Sequence, residues 1–156
     1  MAAKVSIQDI TDAGFREEQF GTPDDWSAEG TGYLARVISR AEQWARGELG
    51  DGLYDAAVAG TVAEHIRSAE LCWCSATLWK RRAAFIDSNA VSALGDLAYL
   101  DRREFEAQAA RAMECAEEAI AAARGDGSVA GSALAVVAVE TGPYRRGGAI
   151  AGGVLR

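Results

Sequence analysis

Residues 61–87 read TVAEHIRSAELCWCSATLWKRRAAFID, with no Gly and no Pro. The stretch opens with Thr61-x-x-Glu64, the spacing of a capping box, and is long enough for about seven helical turns. At roughly 100° per residue, Val62, Ile66, Ala69, Trp73, Ala76 and Ala83 fall on one side, and Leu71, Cys74, Leu78 and Phe85 nearly opposite. Cys72, Trp79 and Ile86 fill a flank, leaving a narrow polar strip through Glu70, Thr77 and Arg81. A helix apolar over most of its circumference is surrounded by other elements. The expected fold is therefore all-α: a small helical bundle around one long central helix.

The neighbours are legible on either side. Ser6-x-x-Asp9 starts a short helix that Gly14 stops, and Phe15 and Phe20 flank a charged loop. Thr22-Pro23-Asp24-Asp25 suits a single turn, with Trp26 as its anchor to the body. From Gly32 to Glu48, Leu34, Val37, Ile38, Ala41, Trp44 and Ala45 recur at three and four, and Arg36, Arg40, Glu42, Gln43 and Arg46 face away. A turn or two then lies on the core through Leu53, Tyr54 and Val58, and Gly60 resets the chain. Ser88–Leu100 reads as a loop carrying apolar residues. Asp101-x-x-Glu104 caps a last helix to about Arg124, with Phe105, Ala109, Ala112, Met113, Ala116, Ala119, Ile120 and Ala123 inward and Gly125 as its end.

Beyond that point the composition changes. Residues 126–156 hold seven glycines and one apolar run, Ala133 to Val139, whose length and β-branched content give it strand character. No second strong strand exists to pair with it, so the expected partner is another chain. The division is a helical domain, 1–125, and an extended docking tail, 126–156.

At 156 residues, with 49% hydrophobic and 25% charged residues, the chain suits one domain with a real core. No apolar run approaches the roughly 20 residues of a membrane span, and the N-terminus lacks the order of a signal peptide, so a soluble protein made in the cytoplasm is expected. A net charge of -7 argues against gripping nucleic acid by its phosphates. Residues 1–30 carry seven acids against Lys4 and Arg16, whereas 126–156 carry Asp126 and Glu140 against Arg145, Arg146 and Arg156. Such ends suit ordered contacts between copies or with different partners.

Chemistry is sought without success. His65 alone cannot build a histidine-rich metal site and reads as a structural or surface residue. Cys72 and Cys74, two apart on a helix, point about 200° from each other. With Cys115 they are expected as reduced, buried thiols. No phosphate loop and no nucleophile elbow occurs. Lys80-Arg81-Arg82 complements the negative end of the central helix, and Trp44, Trp73 and Trp79 sit at packing positions. An enzyme using Cys72 or Cys115 would lack a base beside either. No catalytic residue, metal or cofactor is expected.

The order of parts nevertheless resembles a family. A short N-terminal helix is followed by Tyr33-Leu-x-x-Val37-Ile38-x-x-Ala41-x-x-Trp44 and a Leu53-Tyr54-Asp55 step. Next come Ala69-Glu70-Leu71 and Leu78-Trp79-x-Arg81-Arg82-Ala83 on one helix, then an Ala/Glu-rich last helix. Together, over about Val5 to Arg124, these look like the head-tail connector (adaptor, head completion) proteins of tailed bacteriophages. The loop and the tail have no match in that pattern. The resemblance implies a non-enzymatic virion protein of the neck, in a ring commonly of about twelve copies beneath the portal. It would face the portal protein, its own neighbours and the next neck or tail protein, with DNA passing through unbound. An acidic wall suits such a channel, and Glu106, Glu114, Glu117 and Glu118 are its candidate lining.

On this reading Leu134, Val136, Val137, Val139, Tyr144, Arg145 and Arg146 dock the tail on the portal or a neighbouring subunit. Too few neighbours remain to cover the last turns of the central helix. Trp79, Lys80, Arg81, Arg82 and Phe85 are therefore expected at an intersubunit contact, with Trp79→Ala harming assembly more than folding. The rival reading is a small helical regulator that sequesters a protein partner between its helices.

Overall fold

The computed structural model describes the backbone of residues 3–20, 25–89 and 95–141, and the side chains of 3–20, 25–85 and 102–127. Five α-helices stand in the described residues: α1 (Ile7–Asp12), α2 (Tyr33–Leu49), α3 (Asp51–Ala56), α4 (Thr61–Asn89) and α5 (Gly95–Thr141). A 3-10 turn, Glu17–Phe20, replaces part of the expected charged loop. No strand occurs among the described residues.

α4 is the central helix, and its all-round apolar surface is explained by what lies on each side. Along one side runs α5. Trp79 stacks on Phe105, Cys72 is bonded to Cys115, and His65 Nε2 lies 3.3 Å from Asp126 Oδ2, so the two helices run antiparallel. Alanine recurs every seventh residue on both: Ala69, Ala76 and Ala83 on α4, and Ala109, Ala116 and Ala123 on α5, all buried. A heptad of the smallest side chain with a Cβ keeps one seam facing the partner and lets the backbones approach closely. The Cα atoms of Cys72 and Cys115 are 6.0 Å apart.

Along its length α4 takes part in two cores. The later half packs Cys74 and Leu78 with Leu34, Val37 and Ala41 of α2 and with Val5, Ile10, Phe15, Phe20 and Trp26 of the N-terminal strap, residues 3–20 with Trp26. The earlier half packs Ala63, Ile66 and Ala69 with Ala45 of α2, Tyr54 and Ala57 around α3, and Ile120 and Ala123 of α5. Burying a strap residue such as Ile10 or Phe20 completely contributes about 1.5–3 kcal/mol, which is how so short a helix as α1 stays in place. Ser6 caps it in a reciprocal capping box with Asp9.

Several boundaries differ from the sequence reading. Thr61 lies within the first turn of α4, and the Gly60 carbonyl accepts from Glu64 N–H at 3.1 Å, so the backbone rather than a threonine cap begins the helix. Val58 is 85% exposed because α3 ends at Ala56 before the chain can turn it inward. Residues 88, 89 and 95–100 are helical, and 90–94, like 21–24 of the proposed Thr22-Pro23 turn, lie outside the described residues. Asp101-x-x-Glu104 is consequently interior to α5. Nor does α5 end at Gly125: it continues to Thr141, with the backbone of 133–139 helical instead of strand. Extending an existing helix costs far less than nucleating one, so an alanine-rich run following it is carried along. Gly127 also allows a close approach, since a Cβ there would stand 2.8 Å from Leu53 Cδ1.

Candidate functional site: a buried carboxylate on the central helix

Among the described residues Glu70 is the one charged residue that is fully buried, at 0% exposure. Burying an isolated carboxylate is costly unless its oxygens are satisfied. Here they are. Oε2 accepts from the backbone N–H of Lys4 at 2.7 Å and of Val5 at 2.9 Å, and Oε1 accepts from the Tyr54 hydroxyl. Three elements therefore meet at one side chain: the strap, α3 and α4. Val5 belongs to the first core and Tyr54 to the second, so the carboxylate sits at the seam between the two.

Charge is arranged around this seam in layers. The Arg46 guanidinium lies 4.2 Å from the Tyr54 ring centroid and the Lys4 ammonium 4.7 Å from it. Arg46 in turn contacts Glu42 at 3.0 Å, Asp51 at 3.1 Å and Asp55 at 2.9 Å. Burial pushes the Glu70 carboxyl up, against the lowering effect of its bonds from Tyr54, Val5 and Lys4, and Glu42 adds repulsion. Burial, then the neighbouring Glu70, raises the Tyr54 hydroxyl as well. A carboxylate with both oxygens hydrogen-bonded and no exposed surface is a fastening, and what it fastens is the strap. Asp9 Oδ1, 2.6 Å from Arg67 Nη2, adds a second tie; burial opposes its ionisation, but Arg67 and Ser6 prevail and hold it below the usual range.

The aromatic end of α4 is not bare. Trp79 meets Phe15 edge-on at 5.1 Å and stacks on Phe105 at 5.4 Å, so strap and α5 cover it from two directions. The expectation that too few neighbours remain to cover Trp79 is thereby corrected: the strap was not counted among them. Arg82 lies over both Phe105 and Trp79, at 4.5 and 5.5 Å from their centroids, and Arg81 over Tyr33 at 4.3 Å. Phe85 is half-buried, whereas Lys80 is exposed. Lys80 lines a shallow groove of about 400 Å³ with Ala109, Ala110, Met113, Glu106, Glu114 and Glu117. The acids of α5 are thus brought together on one edge, Glu118 exposed beside them. Of the tail residues, the side chains of Leu134, Val136, Val137 and Val139, and Tyr144, Arg145 and Arg146 altogether, lie outside the described residues.

The cysteines depart from expectation. Cys72 and Cys115 form a disulfide between α4 and α5, both half-buried, while Cys74 is free and fully buried. The reason is the alanine seam, which brings two backbones within bonding range of each other's side chains. Among the described residues no group of three or more His, Cys, Asp or Glu is placed to hold a metal ion, and no helix is long and apolar enough to cross a membrane.

Sequence reasoning placed Glu70 in the polar strip of the central helix and missed its burial. One signal was present: Glu70 is the single charged residue between Arg67 and Lys80. Its partners, 16 and 65 or more positions away, carry no local signal. Compared with family models, curated proteins and solved structures, the chain finds no match.

Proposed function

We propose that this chain is a non-enzymatic structural adaptor of a tailed-phage neck, forming a ring beneath the portal that joins the DNA-filled head to the tail. The observation that carries the reading is where its quoted motifs fall. Leu53-Tyr54-Asp55 and Ala69-Glu70-Leu71, distant in sequence, meet through the Tyr54–Glu70 hydrogen bond, and Leu78-Trp79 packs with the strap and α5. The motifs that suggest an adaptor are therefore the residues that tie strap, α3 and both long helices into one rigid body. A ring subunit needs such a body with lateral faces left for its neighbours.

On this reading the exposed edge bearing Glu106, Glu114, Glu117 and Glu118 faces the DNA channel, and like charge keeps the wall from holding phosphate. Partners are the portal protein, further copies of the chain and the next neck protein; cofactors are none. The tail, including Tyr144, Arg145 and Arg146, docks outside the body. The test is whether the protein co-purifies with DNA-filled heads and occupies a ring under the portal in imaged particles. Absence from particles, together with a stable monomer that binds one partner protein, would replace this reading by the sequestering module.

A further inference from the structure

We propose that Cys72 and Cys115 form a thiol–disulfide exchange site for a small thiol–disulfide couple of the glutathione class, which adds a covalent tie between the packed helices α4 and α5 when oxidised and removes that tie when reduced. Three observations converge. The sulfurs are joined across two helices whose alanine seam sets their Cα atoms 6.0 Å apart, inside the range that a disulfide spans. Both cysteines are half-buried, unlike Cys74, and so keep the partial exposure that exchange with a small disulfide requires. The third cysteine is excluded from the exchange: Cys74 is fully buried, and burial together with nearby Glu70 pushes its thiol up to about 12, leaving almost no thiolate near neutrality.

The reaction balances without any other reagent. One thiolate of the pair attacks oxidised glutathione, forming a mixed disulfide and releasing one glutathione, which takes up a proton. The thiolate of the second cysteine then attacks the sulfur of the first and expels the other glutathione. Two electrons pass from the cysteine pair to the glutathione disulfide, and two molecules of reduced glutathione reverse both steps. Because the cysteines are 43 positions apart, the bond closes a long loop and restricts the unfolded chain. A chain in reducing cytosol would hold the pair as thiols and gain the tie on leaving it. This inference stands whether or not the adaptor reading does.

The test equilibrates the folded full-length chain in glutathione buffers from strongly reducing to strongly oxidising, then quenches, denatures, alkylates and weighs it. Expected are three alkylated thiols at the reducing end and one, Cys74, at the oxidising end, with a Cys72–Cys115 linked peptide and full reversal on adding reduced glutathione. Thermal unfolding should fall by roughly 10 °C on reduction, and Cys72→Ser should remove that dependence. Three free thiols under oxidising buffer, a stable glutathione adduct on either cysteine, or a bond that reduced glutathione never opens in the folded chain would each overturn the proposal. The titration of the unmodified chain decides it even if Cys72→Ser fails to fold.

Discussion

Replacing Glu70 by alanine removes the acceptor for three donors at once, the amides of Lys4 and Val5 and the hydroxyl of Tyr54. Each buried donor left unpaired costs about 1–3 kcal/mol. The chain has a way to limit the loss, because the strap can lift and let its amides meet water. Lifting it exposes Val5, worth about 1.5–3 kcal/mol of burial, and still leaves the Tyr54 hydroxyl without its partner. Leaving all three donors buried costs about 3–9 kcal/mol and lifting the strap about 2.5–6, so the cheaper route sets the expected destabilisation at roughly 3–6 kcal/mol. Glu70→Gln keeps an acceptor for the amides and offers the tyrosine oxygen a donor, so its cost should stay near 1 kcal/mol.

Urea unfolding followed by circular dichroism measures the first quantity. Hydrogen exchange at Lys4 and Val5 separates the routes, since a lifted strap loses protection there before the body unfolds. The pH dependence has a definite sign. The carboxyl is raised above its ordinary 4.5, so between that value and the higher folded value the folded chain holds a proton that the unfolded chain has released. The pH-dependent part of Glu70's contribution is thus fully present below 4.5 and is lost as pH rises through the folded value. Glu70→Gln should flatten that slope. Equal urea midpoints for Glu70→Ala and the parent, with unchanged exchange at Lys4 and Val5, would refute the fastening.

Trp79→Ala should cost about 2–4 kcal/mol in urea unfolding, because it empties the space between Phe15 and Phe105; an unchanged midpoint would restore the view of Trp79 as an interface residue alone. Gly32→Ala should lose about 1–3 kcal/mol, since its Cβ would stand 2.3 Å from the Asp25 carbonyl oxygen and backbone cannot give way cheaply. Gly125→Ala, with nothing within 4 Å of the added Cβ and helix on both sides, should gain about 0.5–1 kcal/mol; a loss would mean that the helix does stop there. Asp9 is held below 3.8, so its tie to Arg67 contributes above that value and is lost as pH falls through the folded one, a slope that Asp9→Asn should remove.

What could be read from the sequence is what lies within one helix. The period of Leu34, Val37, Ala41 and Ala45 marks α2 to within a residue at each end, and all four are buried. Ala109, Ala116, Ile120 and Ala123 are likewise inward, as their spacing says. Glycine misleads because its meaning depends on backbone angle: at Gly14 the φ of +92° breaks the chain from α1, whereas Gly125 lies inside a continuing helix. A seven-residue apolar run such as 133–139 fits either period, and only the preceding helix decides it. The Tyr54–Glu70 and Cys72–Cys115 pairs depend on how far one element slides along another, a quantity that no local pattern contains.

The covering of Trp79 changes where the proposed ring contact must lie. Its ring meets Phe15 edge-on and stacks on Phe105, Arg81 and Arg82 rest on rings of the same chain, and Lys80 remains exposed on that turn. The groove that Lys80 lines is also lined by Glu106, Glu114 and Glu117 and by Ala109, Ala110 and Met113. An aromatic hot spot at the end of α4 would have made a neighbour bind by burying apolar surface, with little response to salt. A groove lined by charges of both signs binds by complementary potential, which salt screens. If the adaptor reading holds and this groove meets a neighbour, subunit association should therefore weaken steeply with ionic strength, and Trp79→Ala should act on it only through the folding of the subunit.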